Sequence, residues 1–132
     1  MLRMSEQVTI LVFEDSRLDA ELLKVILTMG PYTVEFIKDG KEASEYISKN
    51  SPPDIVLTDV NLPQVNGVEL VKQMKSNNSW KTIPIIALSA SLNLKNVKSI
   101  KEAGVSSIIA KPFQPERLQK EIFRLTGYER IE

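Results

Sequence analysis

Five short runs rich in valine, isoleucine and leucine, separated by longer amphipathic stretches, constrain the fold of this chain more tightly than any other feature of its sequence. The runs are Val8 to Phe13, Thr33 to Ile37, Ile55 to Thr58, Ile83 to Leu88 and Val105 to Ala110. Alternation of this kind builds strand and helix units around a mostly parallel sheet. Four runs are nearly continuous in apolar residues, as strands covered on both faces should be. The second, Thr33-Val34-Glu35-Phe36-Ile37, alternates and predicts an edge strand.

Between the runs, Leu18, Leu22, Val25, Ile26 and Met29 fall on one helical stripe, with Ser16 placed to cap its start and Gly30-Pro31 to stop it. Ala43, Tyr46 and Ile47 mark a second helix ended by Ser51-Pro52-Pro53, and Val68, Leu70, Val71 and Met74 a third ended by Ser76-Asn77-Asn78-Ser79. Leu94, Val97, Ile100 and Ala103 predict a fourth, closed by Gly104. Pro115, at a first-turn position, opens a fifth through Leu118, Ile122, Phe123 and Leu125. No repeat or linker-like tract divides the 132 residues. One domain over 1–132 is expected, with its core at about 8–126 and flexible ends at 1–6 and 128–132.

Composition narrows the chemistry. Seventeen basic residues balance seventeen acidic ones, so no overall field draws the chain to nucleic acid or a membrane surface. No recognition helix follows residue 126, and no stretch approaches the ~20 apolar residues needed to cross a bilayer. A soluble cytoplasmic protein is expected. There is no cysteine, which excludes disulfides and thiolate nucleophiles, and no histidine, the commonest general base and phosphate relay. Covalent chemistry must run on a carboxylate, a hydroxyl or a lysine, and any phosphohistidine must belong to another molecule.

Polar residues break the pattern at one kind of place. The first strand ends in Glu14-Asp15, the third in Asp59, the fourth in Ser89 and the fifth in Lys111. Open parallel sheets bind ligands outside these carboxyl ends, so the four groups share one rim. Taken singly, each is an ordinary helix cap, turn former or solvated charge. Together they form a chemical set. Carboxylates converging on one rim repel one another, and an oxygen-only site suits a hard divalent cation such as magnesium, with Lys111 adding positive charge. One carboxylate then becomes a nucleophile toward a phosphoryl donor, with Ser89 placed to donate its hydroxyl hydrogen to a phosphoryl oxygen.

These residues resemble the receiver domain of two-component response regulators of the single-domain, chemotaxis type. The likeness runs from Val8 to about Thr126. It rests on Leu11-Val12-Phe13-Glu14-Asp15-Ser16, on Pro53 through Pro63 around Asp59, on Pro84-Ile85-Ile86-Ala87-Leu88-Ser89-Ala90, and on Ala103-Gly104 followed by Lys111-Pro112-Phe113. The resemblance implies a flavodoxin-like α/β fold, three layers deep, with five parallel strands in the order 2-1-3-4-5. It implies that Asp59 accepts the phosphoryl group, that Asp15, Asp59 and the Asn61 carbonyl bind Mg2+, and that Glu14 supports the metal through water. Ser89 and Lys111 would pair with the phosphoryl group, and the Lys111-Pro112 peptide would be cis. Asn61 and Ser91 resemble the two positions that tune phospho-aspartate lifetime. Ile108 departs from the family: an aromatic or histidine usually stands there as a rotamer switch, and isoleucine can neither swing a ring nor hydrogen-bond through its tip.

The implied donor is a histidine kinase or phosphotransfer protein, and the implied output is a protein target docking on the fourth helix, fifth strand and fifth helix. Homodimerisation is left open. Such a chain is not a classical enzyme, although it catalyses its own phosphorylation and dephosphorylation. A flavin or nucleotide carrier would need a glycine-rich phosphate loop where Glu14-Asp15 stands, and an aspartyl phosphatase would need a second carboxylate at Asn61. The alternative from another class is a receiver-shaped module that docks constitutively without phosphorylation, a reading that Ile108 favours and the acidic, hydroxyl and lysine set opposes.

Overall fold

The structure is a computed structural model, which describes residues 8–127; both proposed flexible ends lie outside the described residues. Strands and helices alternate strictly: β1 (Val8–Phe13), α1 (Arg17–Leu27), β2 (Tyr32–Ile37), α2 (Gly40–Lys49), β3 (Ile55–Asp59), α3 (Gly67–Ser76), β4 (Ile85–Ser89), α4 (Leu94–Ala103), β5 (Ser107–Ala110) and α5 (Pro115–Thr126). The five strands are parallel in the order β2-β1-β3-β4-β5, the flavodoxin-like arrangement expected. Leu23, Ile26 and Leu27 of α1 pack with Leu118 and Ile122 of α5 on one face of the sheet. Residues from α2, α3 and α4 pack on the other. The crossovers leaving β1 and those leaving the strands beside it therefore diverge, opening a crevice at the carboxyl ends of β1 and β3.

Local chemistry sets the helix starts. Ser16, Asp39, Asn66 and Asn93 each accept a hydrogen bond from the backbone N–H three residues on, and Pro115 begins α5. Gly104, at φ 111°, closes α4 in the left-handed conformation that glycine tolerates. Trp80, which carries no signal in the helical patterns, is wholly buried between α2 and the turn after α3. It stacks edge-on against Tyr46 and donates its indole N–H to the Asn50 carbonyl at 3.0 Å.

Four expectations change. The stripe assigned to the buried face of α1 points mostly outward: Leu18, Leu22, Val25 and Met29 are 78%, 38%, 64% and 70% exposed, and only Ile26 of that set is buried. The sheet takes Leu23 and Leu27 instead. On α4, Ile100 and Ala103 are buried while Leu94 is exposed. Ile83 and Pro84 stand before β4 in a turn closed by Ile83 N–H to the Trp80 carbonyl (3.1 Å). The fifth apolar run is not covered on both faces. Its strand is the sheet's second edge, begins only at Ser107, and leaves Ile108 half-buried.

Two glycines let the loop after β3 lie against its neighbours. A Cβ on Gly67 would stand 2.1 Å from the Asp59 carbonyl oxygen, and one on Gly40 would stand 1.8 Å from that of Val65. Both atoms are backbone and have little room to yield. Gly67→Ala is therefore expected to lower the stability of the folded chain by about 1–3 kcal/mol, measured by urea unfolding. A loss within error of zero would mean that this contact constrains nothing.

Candidate functional site

Parallel register brings the ends of β1, β3, β4 and β5 to one rim, and the side chains there meet around a single ammonium group. Lys111 follows β5, and its backbone N–H donates to the Ser89 carbonyl at 2.9 Å, which ties it to the end of β4. The Lys111-Pro112 peptide is cis. Its Nζ donates to Asp59 Oδ2 at 3.0 Å and to Asp19 Oδ2 at 2.8 Å, and lies 2.9 Å from Glu14 Oε1. The ammonium is almost enclosed, its side chain only 12% exposed.

Glu14 is buried directly after β1, where its backbone N–H donates to the Ile37 carbonyl at 3.0 Å. Its Oε2 accepts the Ser16 N–H at 3.1 Å, whereas Oε1 pairs with Lys111 by charge alone and has no hydrogen-bond partner. Asp59 closes β3, also buried, and its Oδ1 accepts the Asn61 N–H at 2.9 Å. Asp15 is exposed at the mouth. One oxygen from each of Glu14, Asp15 and Asp59 lies within 4.8 Å of the others.

Ser89 is buried at the end of β4, but its hydroxyl faces its own loop. It donates to the Ser91 carbonyl at 3.0 Å and accepts the Ser91 N–H at 3.2 Å. Ile108 is set apart from the acidic cluster, in a surface cavity shared with Leu92, Val97, Lys101 and Arg117. The structure thus gathers Glu14, Asp15, Asp59, Asn61 and Lys111, with Ser89 and Ser91 on the adjoining loop and Ile108 remote.

Asp19 was not among the expected site residues. An acid in the first turn of a helix is ordinarily explained by the helix dipole, and nothing in the local pattern separates Asp19 from that role. Its one distinguishing signal is spacing. It lies four residues beyond Asp15, one turn along α1 on the side that meets the rim.

Charge governs this arrangement. Burial pushes the Glu14 carboxyl upward; the Lys111 ammonium opposes that, the neighbouring Asp59 reinforces it, and the result is a pKa of about 7 against an ordinary 4.5. Burial also works against the charge on Lys111, but its bonds to Asp19, Glu14 and Asp59 outweigh burial and hold it above the usual lysine range. Without a further cation, four carboxylates face one ammonium. The donor set fits Mg2+: all ligand atoms are oxygens, and the orphaned Glu14 Oε1 is a buried acceptor that a metal-bound water would satisfy.

A pH dependence follows for the metal-free protein. The folded state keeps a proton on Glu14 up to about pH 7, whereas a carboxyl with the ordinary value of 4.5 has already lost it. The unfolded state thus binds fewer protons between these values, and stability falls as pH rises through that window. The contribution is at most roughly 3 kcal/mol. Urea unfolding with chelator at about pH 5 and about pH 8 should show a loss in the native protein that Glu14→Gln removes. Equal slopes in the two proteins would refute the assignment.

Comparison with known proteins agrees with this geometry. Residues 10–123 match the response regulator receiver domain family. The chain is 33% identical to the chemotaxis protein CheY1 of Helicobacter pylori over 119 residues, covering 89% of this chain and 96% of that one. Among solved structures it resembles the receiver domain of the sensor histidine kinase PA1611 from Pseudomonas aeruginosa, which holds a magnesium ion in its active site cleft. That match has a TM-score of 0.84 and 26% identity, over 92% of this chain and 99% of that one. Chemotaxis response regulator CheY4 of Vibrio cholerae superposes with a TM-score of 0.83 at 29% identity, over 91% and 99%. The chain belongs to the response regulator receiver domain family, the phosphorylation-dependent switches of two-component signalling.

Proposed function

We propose that Asp59 is the phospho-acceptor of this receiver, working with Mg2+ held by Asp15, Asp59 and the backbone carbonyl of Asn61 and supported through water by Glu14. The observation that carries this reading is the contact of Lys111 Nζ with Asp59 Oδ2, 3.0 Å apart, inside a pocket where three carboxylates converge. An Asp59 oxygen attacks the phosphorus of a phosphohistidine on a histidine kinase or phosphotransfer protein. The P–N bond breaks, and the imidazole nitrogen keeps the electron pair. Mg2+ held by these residues would supply the charge that offsets the carboxylates and the phosphoryl oxygens. Lys111 keeps Asp59 oriented before transfer and gives one hydrogen to a phosphoryl oxygen after it. Ser89 turns its hydroxyl to another such oxygen, while Asn61 and Ser91 flank the group and set the access of hydrolytic water.

Labelling by acetyl phosphate or phosphohistidine with Mg2+ is expected to vanish in Asp59→Asn. Lys111→Ala should still be labelled but lose the conformational response to beryllofluoride, and equal loss of both would contradict this division of roles. A native protein that neither takes label nor binds beryllofluoride at saturation would support the constitutive docking module.

The outward stripe of α1 suits the donor. Leu18 begins it, immediately before Asp19, whose carboxylate reaches Lys111, so the stripe starts at the pocket's edge. A donor that brings phosphohistidine to Asp59 covers this helix and buries Leu22, Val25 and Met29. The output surface is the α4, β5 and α5 face, where Leu92, Val97 and Ile108 line a cavity between Lys101 and Arg117. Both encounters belong to the cytoplasm, where kinases of this class present their phosphohistidine. With the fastest donor among the kinases of the same genome, Leu22→Glu should slow transfer at least about tenfold while leaving acetyl phosphate labelling unchanged. Parallel loss with both donors would place the defect in the pocket and not on the docking face.

A further inference from the structure

Ile108 leaves the fifth strand without a group that can follow Ser89, yet the Ser89 hydroxyl has a hydrogen-bonded route to another element. Its O–H donates to the Ser91 carbonyl at 3.0 Å, and its oxygen accepts the Ser91 N–H at 3.2 Å. The same Ser91 carbonyl accepts a second hydrogen bond, from Asn96 Nδ2 at 3.2 Å, and that amide also reaches Ser91 Oγ at 3.3 Å. Asn96 sits in the first turn of α4. Its own backbone N–H is already satisfied by Asn93 Oδ1 at 2.9 Å, so its side chain is not needed as a cap. It reaches back five residues, out of the helix, to the residue that holds the Ser89 hydroxyl.

From this geometry we infer that Asn96 is a positioning residue that couples the Ser89 hydroxyl, through Ser91, to the first turn of α4. The inference rests on the phosphorylation reading above and supplies a route from the pocket to the proposed output face. A serine hydroxyl has one hydrogen. While it is given to Ser91, it cannot be given to a phosphoryl oxygen, so activation must break that bond. Ser91 then loses one of the two donors on its carbonyl and remains tied to Asn96, so displacement of the 90–93 loop is delivered to α4. Leu92 in that loop and Val97 one residue beyond Asn96 both line the cavity that contains Ile108, Lys101 and Arg117. The movement therefore reaches the output face without passing through the fifth strand.

Amide chemical shifts measured on the full chain, with and without Mg2+ and beryllofluoride, separate binding from relay. In the native protein, shifts are expected both at the pocket, at Val60, Asn61 and Ala90, and in α4, at Val97, Lys98 and Lys101. Asn96→Ala and the near-isosteric Asn96→Leu lack the amide donor. Both should keep the pocket shifts and a beryllofluoride affinity that is unchanged or up to about fivefold tighter, because binding no longer has to move the helix. The α4 shifts should fall to less than about a quarter of their native size in both variants. Full α4 shifts in either variant would overturn the relay while leaving the functional reading intact. So would a tenfold weaker affinity, which would make Asn96 a structural support of the pocket. No pocket shift in the native protein would overturn both.

Discussion

Every other feature of the site depends on the charge imbalance around one ammonium group. Lys111 stands within 3.0 Å of three carboxylates, from α1, β3 and the residue after β1, and Asp15 lies at the mouth of the same crevice. In bulk water such a cluster would be a modest perturbation. Under the nearly closed rim the effective dielectric is lower, and removing the ammonium would leave the carboxylates uncompensated. The resting pocket is therefore electrostatically unfinished. It can be completed by a proton on Glu14 or by a divalent cation, and of the two only the cation would also offset the charge of an incoming phosphoryl group.

The fold produces this crowding cheaply because parallel strands deliver their carboxyl ends to one side. The neutral framework then holds the charges in place. Glu14 is fixed by its backbone bond to Ile37, Asp59 by its place in β3 beside Leu88, and Lys111 by its backbone bond to the Ser89 carbonyl, so each charged side chain starts from a peptide that the sheet has already paired. Gly67 adds a steric condition at β3. Its missing side chain lets the start of α3 lie against the Asp59 backbone, which keeps the loop that contains Asn61 folded over the strand end.

Much of this was legible in the sequence because a polar residue that ends a buried apolar run has few neutral explanations when several do so together. Glu14, Asp59, Ser89 and Lys111 were visible for that reason. The α1 face was not. Leu18, Leu22, Val25 and Met29 recur at helical spacing, but so do Leu23, Ile26 and Leu27, with Ile26 compatible with both sets. Periodicity cannot choose between two apolar stripes, and packing against α5 made the choice. Asp19 was hidden because a first-turn acid already has a local reason to exist. Trp80 was hidden because it stands alone in a polar turn, outside any repeating pattern, although it is among the largest buried side chains. Ile108 looked like core because it stands in a Val/Ile-containing run beside Ile109, yet it lies on an edge strand and is only half-buried. An uncovered apolar face and a core face read alike in the sequence, because hydrophobicity alone does not separate the two.

In the proposed mechanism the switch is, at its centre, a reallocation of a few hydrogens. Lys111 has three, and in the resting state it donates to Asp19 and Asp59 while Glu14 is held beside it by charge. When a phosphoryl group arrives on Asp59, the ammonium can turn one hydrogen to it without becoming unpaired, because Asp19 lies outside the group of carboxylates placed for the metal and keeps its own bond. Ser89 has no such reserve. Its single hydrogen must leave Ser91 entirely, so the lysine can adjust within the pocket while the serine cannot act without disturbing the loop beyond it. Under the proposed mechanism the asymmetry gives the two residues different work: Lys111 holds charge, and Ser89 moves structure. With Ile108 unable to follow the serine through β5, the hydrogen bonds that Asn96 donates to Ser91 are the proposed path by which that movement leaves the site.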